Sequence, residues 1–396
     1  MISIADKADC CGCTACASIC GKHCIHMEPD EEGFLYPAID KDLCIDCGAC
    51  NAVCPVMNAK EEKPFSQKAY IVNNKNETER KESTSGGAFT PIAKYIIENG
   101  GVVFGAAFDD QMRVIHTYAD NANDLWKFRG SKYVQSDMDG CFLLAKEYLD
   151  SGKPVCYSGT PCQIEGLKQY LRKEYENLIT VDLVCRSVPS PLVWNRYLSY
   201  IKEHMKSSHI ASVSFRDKSK YGYQYPNIRV SGANGTYYNG VESDPYLRSF
   251  FENISIRPSC YQCGFKKRYR VSDFTIWDCF FAEKFALELD DNKGTTCVLI
   301  HSQKGMDLFR HIIDGFHYKE VHPDDIVKGM NEMFKSVPTN NKREAFFKDI
   351  SVLNETELFN KHFPNTIKTA AAHYTKVLLS KTNLYKKVKR QVKKKS

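Results

Sequence analysis

The sequence predicts a mixed α+β / α/β chain: a small cysteine-rich module at the amino end, a larger α/β domain after it, and a basic helical tail. Three observations predict this order. Ten of the 18 cysteines lie within the first 54 of the 396 residues. From Lys68 onward, short apolar β-type runs alternate with amphipathic helical stretches. The last sixteen residues, Lys381 to Ser396, carry eight Lys or Arg and no acid. The expected boundaries are 1–60 for the module, 61–82 for a linker and first strand, 83–350 for the large domain and 351–396 for the tail.

Composition narrows the function classes. With 43% hydrophobic and 26% charged residues and a net charge of +6, the chain reads as a soluble globular protein, not a fibrous or disordered one. No apolar run approaches the ~18 residues of a membrane span, and no basic region leads into an apolar stretch at the start. A cytoplasmic location is expected. Disulfides are then disfavoured, and the cysteines point to metal or cluster ligation.

Cys10, Cys13, Cys16 and Cys20 have the spacing C-x-x-C-x-x-C-x-x-x-C, and Cys44, Cys47, Cys50 and Cys54 repeat it 34 residues later, followed by Pro55. This is the signature of a bacterial-type two-cluster ferredoxin, in which three cysteines of one run bind one [4Fe-4S] cluster and the fourth crosses to the other. Three thiolates on one tight loop cap three corners of a cube, and the fourth corner takes a ligand from elsewhere. The assignment is therefore Cys10, Cys13, Cys16 and Cys54 for one cluster, and Cys44, Cys47, Cys50 and Cys20 for the other. The alternatives are paired zinc knuckles or a domain of reduced structural cysteines; zinc sites favour two C-x-x-C pairs or mixed Cys/His sets. Gly21 stands where proline follows Cys20 in such runs, and Cys11 and Cys24 are spare thiols nearby. Cys24 is a substitute for Cys20, at the wrong spacing from Cys16. Such a module moves single electrons and needs a user downstream.

The larger domain follows a polar stretch, 58–68, that suits a linker. Lys68 to Val72 reads as a strand. Phe89, Ile92, Ala93, Ile96 and Ile97 share a helical face that stops at Gly100 and Gly101. Strands are expected at Val102 to Phe108, Val114 to Ala119, Pro154 to Tyr157 and Leu178 to Val184. Helices are expected at Met138 to Leu149, Gln163 to Arg172 and Leu192 to Lys206.

Two loops at element ends stand out. Ser83 to Ala88, Ser-Thr-Ser-Gly-Gly-Ala, precedes a helix and reads either as an anion-binding turn or as a plain cap. In Ser158-Gly159-Thr160-Pro161-Cys162 a strand runs into a helix with a cysteine at the turn, where amide dipoles favour a thiolate. Cys162, Cys185, Cys260 and Cys263 either complete a third [4Fe-4S] site or leave only the C-x-x-C pair functional. Cys141, Cys156, Cys279 and Cys297 lie in apolar runs and read as core.

Taken in order, the two-cluster module, STSGGAF (Ser83 to Phe89), RGSKYVQS (Arg129 to Ser136), SGTPCQIEGL (Ser158 to Leu167), DLVCRSVPSP (Asp182 to Pro191), CYQCGF (Cys260 to Phe265), SDFTIWD (Ser272 to Asp278) and KGTTCVLI (Lys293 to Ile300) resemble the coenzyme F420 hydrogenase/dehydrogenase beta-subunit family. The resemblance spans roughly residues 8 to 350. It implies a mixed α/β flavin-binding catalytic domain with FAD and iron–sulfur clusters. It implies that Cys162, Cys185, Cys260 and Cys263 are cluster ligands near the flavin. It implies FAD-binding loops around Ser85, Gly86 and Gly87 and around Ser131, Lys132, Tyr133 and Gln135, with Asp278 at the family's Gly-Asp position. Trp277 stands where glycine is usual, and Arg186-Ser187 where His-Gly often follows the cysteine, so substrate identity does not carry over. Lys132 reads equally as a partner for flavin charge or as an ordinary surface lysine.

The function expected is an iron–sulfur flavoprotein oxidoreductase, with ferredoxin or another redox protein as partner and a small organic molecule as substrate. An electron-transfer subunit of a larger complex, or an enzyme acting on F420 itself, is the alternative. The tail, with Val388 and Val392 four apart, reads as a solvated segment or as a weakly amphipathic helix on an anionic membrane surface or a partner. Nucleic acid is not an expected partner.

Overall fold

The computed structural model describes residues 1–381. At the amino end the two cysteine runs fold as tight loops, each with a one-turn helix, Ala15–Ser18 and Ala49–Ala52. Between them, β1 (Ile25–Pro29) and β2 (Leu35–Ile39) form an antiparallel hairpin with Ile25 opposite Ile39.

The chain then builds β3 (Lys68–Asn74), β4 (Val102–Phe108), β5 (Val114–Ala119), β6 (Val155–Gly159) and β7 (Leu178–Leu183). It leaves to form a separate sheet from β8 (Ile210–Asp217), β9 (Asn227–Gly232) and β10 (Gly235–Asn239), and returns with β11 (Phe274–Asp278), β12 (Thr296–Ile300) and β13 (Phe316–Val321). The large sheet runs β13-β3-β12-β11-β7-β6-β4-β5. Its centre, β4, β6, β7 and β11, is parallel, and the flanking pairings are antiparallel. These directions bring the carboxyl ends of β3, β6, β7 and β11 to one edge, where open α/β sheets place ligands.

The near-continuous apolar runs of the central strands are explained by burial on both faces. On one face Ile92, Ala93 and Ile96 of the helix Phe89–Glu98 pack with Phe309 and Val298. On the other, Ile164 and Leu167 of the helix Pro161–Leu171 pack with Phe142 and Tyr157. That second core also contains Cys13, Ala15 and Val53, so the cysteine module shares it. The helix begins at Pro161, earlier than the apolar pattern suggests, because the Gln163 side chain accepts from the Thr160 amide at 2.9 Å and caps it.

Two further contacts fix the module. Glu32 forms a two-pronged ion pair with Arg343, one prong at 2.6 Å, and the Ser190 hydroxyl donates to the Glu32 carbonyl. The small sheet packs through Phe215 against Trp194 and Tyr246. Leu358 and Phe359 of the helix Glu355–His362 are buried in the same core, so the chain through this point is packed and not free. The basic stretch expected to act as a tail lies outside the described residues apart from the end of the helix Ile367–Lys381. Among the described residues no helix is long and apolar enough to cross a membrane.

Candidate functional site

The cysteines gather in three places. Cys10, Cys13, Cys16 and Cys54 line one small cavity, joined by Cys11. Burial pushes the Cys16 thiol up to about 12 and raises Cys10 as well, against the pull of the Arg257 guanidinium. Cys20, Cys44 and Cys50 pack together in an adjoining cluster that also holds Cys24 and shares Cys16 and Cys54 with the first gathering. The sulfurs of Cys20 and Cys24 lie 3.4 Å apart, and the Ile2 amide donates to the Cys50 sulfur at 3.2 Å. Cys47 is exposed on the same loop.

The third gathering is at the carboxyl edge of the sheet. Cys162 follows β6 in the first turn of its helix, Cys185 follows β7, and Cys260 and Cys263 come from the turn at Pro258–Gln262 and its end. All four line one cavity of about 210 Å³, with Cys11 and Pro55 of the module on its wall. The expectation that helix amides favour a Cys162 thiolate is not met: contact with Cys11 and burial push this thiol well above the usual range. Burial likewise pushes Cys185 up to about 12 and raises Cys260 and Cys263. Without a metal these are neutral thiols, and metal binding must displace their protons.

The residues fit a cluster. A single zinc ion would draw four sulfurs to about 2.3 Å from one point. The thiols instead border a space, and Ser187 Oγ and Arg186 Nε at its rim are buried without hydrogen-bond partners. Cys141, Cys156, Cys279 and Cys297 are buried elsewhere in the cores.

A second constellation lies farther along the same edge. The Ser85 hydroxyl donates to the Thr295 carbonyl at 2.5 Å, and the Gly86 amide to Thr296 Oγ1 at 2.8 Å, pinning the loop to β12. Gly86 is required here by protein packing, since a Cβ would lie 2.4 Å from the Val72 carbonyl oxygen. Gly87 has φ +80°, and Thr84 ties the loop to Ser131, whose amide donates to Thr84 Oγ1 at 2.7 Å. The Lys218 ammonium donates to the Ser85 carbonyl at 2.7 Å. Arg216 on β8 pairs with Asp278 at 2.9 Å, and Tyr223 donates to the same carboxylate at 2.8 Å. Tyr133 packs on Phe215 and Phe250 nearby. Ser85, Ser131, Tyr133 and Asp278 are thus brought to one region.

Two other residues singled out from the sequence are placed differently. Lys132 turns its ammonium onto the carbonyls of Lys127 and Arg129, at 2.7 and 3.0 Å, and burial lowers its pKa to about 7. Gln135 faces the cysteine module, donating to the Cys11 carbonyl at 3.3 Å and accepting from Arg257 at 2.9 Å.

The second constellation fits an anionic ligand of the diphosphate kind. Arg216 Nε and Arg129 Nε are buried donors without partners, the other nitrogens pairing with Asp278 and with Glu82, and burial lowers Lys218 to about 7, so an anion beside it restores its charge. The adjoining cavity, bounded by Tyr223, Phe280, Asn292 and Thr295, encloses about 30 Å³ and is not where a tricyclic ring would go. Arg216, Lys218, Tyr223 and Arg257 were not singled out by the sequence reading. The aromatic run Tyr221 to Tyr225 was the available signal for Tyr223.

A cysteine module docked on a mixed α/β domain, with thiols lining the contact, defines the class: an iron–sulfur protein of the oxidoreductase type. The model for the beta subunit of coenzyme F420 hydrogenase/dehydrogenase matches with its N-terminal part at residues 69–141 and its C-terminal part at 152–325, and a 4Fe-4S binding domain matches at 37–57. The chain belongs to that beta-subunit family. It is 25% identical over 313 residues to the coenzyme F420-dependent sulfite reductase of Methanocaldococcus jannaschii, a match covering 77% of this chain and 46% of that protein. The chain thus spans about half the length of that relative. It is 44% identical over 64 residues, 16% of this chain and 76% of the relative, to a 7Fe ferredoxin of Hydrogenibacillus schlegelii. A chain of the F420-reducing [NiFe] hydrogenase complex from Methanosarcina barkeri overlays with a TM-score of 0.42 at 16% identity, covering 76% of this chain and 94% of that one.

Proposed function

We propose that the protein is an iron–sulfur flavoprotein oxidoreductase. It passes single electrons from two ferredoxin-type [4Fe-4S] clusters, through a third cluster, to FAD for the two-electron reduction or oxidation of a small organic substrate. The observation that carries this reading is the shared cavity: Cys162, Cys185, Cys260 and Cys263 line a space whose wall includes Cys11 of the amino-terminal module.

When bound, the clusters supply one-electron exchange and the flavin converts it to two-electron chemistry. The chain's own residues hold and orient. Twelve thiolates, those of Cys10, Cys13, Cys16, Cys54, Cys20, Cys44, Cys47, Cys50, Cys162, Cys185, Cys260 and Cys263, would ligate three clusters. Arg129, Arg216 and Lys218 would balance phosphate charge beside Ser85 and Gly87, and Asp278 keeps Arg216 charged and aimed. The domain division 1–60, 61–82, 83–350 and 351–396, the cytoplasmic location and a ferredoxin-like partner are parts of the same proposal.

Anaerobic purification with iron, sulfide and flavin quantified together tests it, with about twelve irons and one flavin per chain expected. Iron without flavin overturns the catalytic half, and a colourless zinc-loaded protein overturns all of it. The relation to an F420-dependent sulfite reductase favours one particular substrate class, F420 itself. Loss or gain of deazaflavin absorbance on anaerobic mixing with F420 separates that substrate from others.

A further inference from the structure

Arg257 is completely buried, yet among the described residues its guanidinium meets no carboxylate. Its donors reach three neutral acceptors: the Cys10 carbonyl at 2.8 Å, Gln135 Oε1 at 2.9 Å and the Leu35 carbonyl at 3.0 Å. Its charge lies 4.3 Å from the centre of the Tyr36 ring, a further favourable but neutral contact. A buried cation with hydrogen bonds but no counter-ion is costly, and such groups are retained where an anion completes them.

The anions are supplied from two sides. On one, Arg257 presses on the first cysteine loop: a Cβ on Gly12, which has φ +71°, would lie 2.9 Å from its NH1. That loop carries Cys10, Cys13 and Cys16. On the other, Arg257 lines the cavity shared by Cys162, Cys185, Cys260 and Cys263. Thiolates ligated to iron stay ionised, and each cluster becomes more negative by one charge when it accepts an electron.

We propose that Arg257 is a shared counter-charge for the cluster held by Cys10, Cys13, Cys16 and Cys54 and the cluster held by Cys162, Cys185, Cys260 and Cys263, raising the reduction potentials of both. This rests on the reading of both cavities as cluster sites. A cation beside both sites would stabilise the reduced form of each more than the oxidised form. It also lowers the electrostatic cost of holding the two reduced at once. Arg257 acts here as a positioning residue, through its charge.

The test is a redox titration followed by electron paramagnetic resonance on anaerobically purified full-length protein, with iron counted in the same samples. Arg257→Gln is expected to keep about twelve irons and to move both potentials to more negative values, while Arg257→Lys, which keeps the charge, stays close to the wild type. Unchanged potentials in an iron-replete Arg257→Gln protein overturn the proposal. If Arg257→Gln loses iron, Gln135→Glu decides. It places a carboxylate on Arg257 in a side chain of the same size and is expected to give the same negative shift; no shift overturns the proposal. A wild-type protein with only about eight irons fails the three-cluster reading itself, a result distinct from either outcome.

Discussion

Gly166 and Cys13 meet with no room between them: a Cβ on Gly166 would lie 2.7 Å from the Cβ of Cys13 and 2.9 Å from its sulfur. The glycine sits in the helix whose first turn holds Cys162, and Cys13 belongs to the first cysteine loop. One residue without a side chain therefore sets how closely the first thiol set approaches the third. Gly166→Ala raises helix propensity, so in isolation it would stabilise the helix by roughly 1 kcal/mol. The overlap with Cys13 reverses the sign, and a net destabilisation of about 1–3 kcal/mol is expected. Denaturant unfolding of iron-loaded protein measures it, and an unchanged or raised midpoint contradicts the close packing.

Removing a thiol from the third cavity tests its ligand set. Cys185→Ser or Cys260→Ser is expected to lower iron by about four per chain while the ferredoxin-type signal persists. Cys141→Ser is the control: Cys141 is buried in a core and donates to the His116 carbonyl at 3.3 Å, so iron stays constant while stability falls. Iron lost equally from both would mean that the drop reports unfolding.

Arg216 and Asp278 are 11% and 19% exposed, so neither is easily left alone. Arg216→Met leaves a mostly buried carboxylate supported by Tyr223, and should cost about 1–3 kcal/mol in thermal stability. The proposed phosphate-facing role adds a second expectation: flavin content falls more than iron content. Equal losses, or retained flavin, would remove Arg216 from the site.

Asp244 gives a pH signature of its own. It is fully buried, burial raises its pKa to about 6, and Tyr197 and the Leu247 amide donate to it at 2.7 and 2.8 Å. The folded state therefore binds the proton more tightly than the unfolded state, where a carboxyl titrates near 3.9. Its contribution to stability is full below about pH 4 and is lost as pH rises through about 6, a loss on the order of 2 kcal/mol. Asp244→Asn, which keeps an acceptor for the Leu247 amide, should flatten the difference between unfolding at pH 4.5 and at pH 7. An identical pH dependence in the two proteins would refute the assignment.

The parallel centre of the sheet was legible because its strands are buried on both faces and read as apolar runs, continuous in Val102 to Phe108 and broken only by Thr180 and Asp182 in Leu178 to Val184. The small sheet was not read at all. β8 has the burial of a half-exposed strand, and its bulges between Ile210 and Ser212 and between Ser214 and Asp217 break the alternation that would have marked it. The Asn234-Gly235 turn joining β9 to β10 was a usable signal. Cysteine spacing put the ligand candidates on the page because a motif is local. Arg257 escaped because a buried arginine has no periodic signature; its meaning comes from a loop more than two hundred residues away.

The ion pair between Glu32 and Arg343 joins positions 311 apart. During synthesis the cysteine loops leave the ribosome long before Arg343 does, so this clamp is added after the contacts to the helix Pro161–Leu171 and to Ser190 and Arg257. The helix Arg343–Ile350 thereby closes over a lobe made at the beginning.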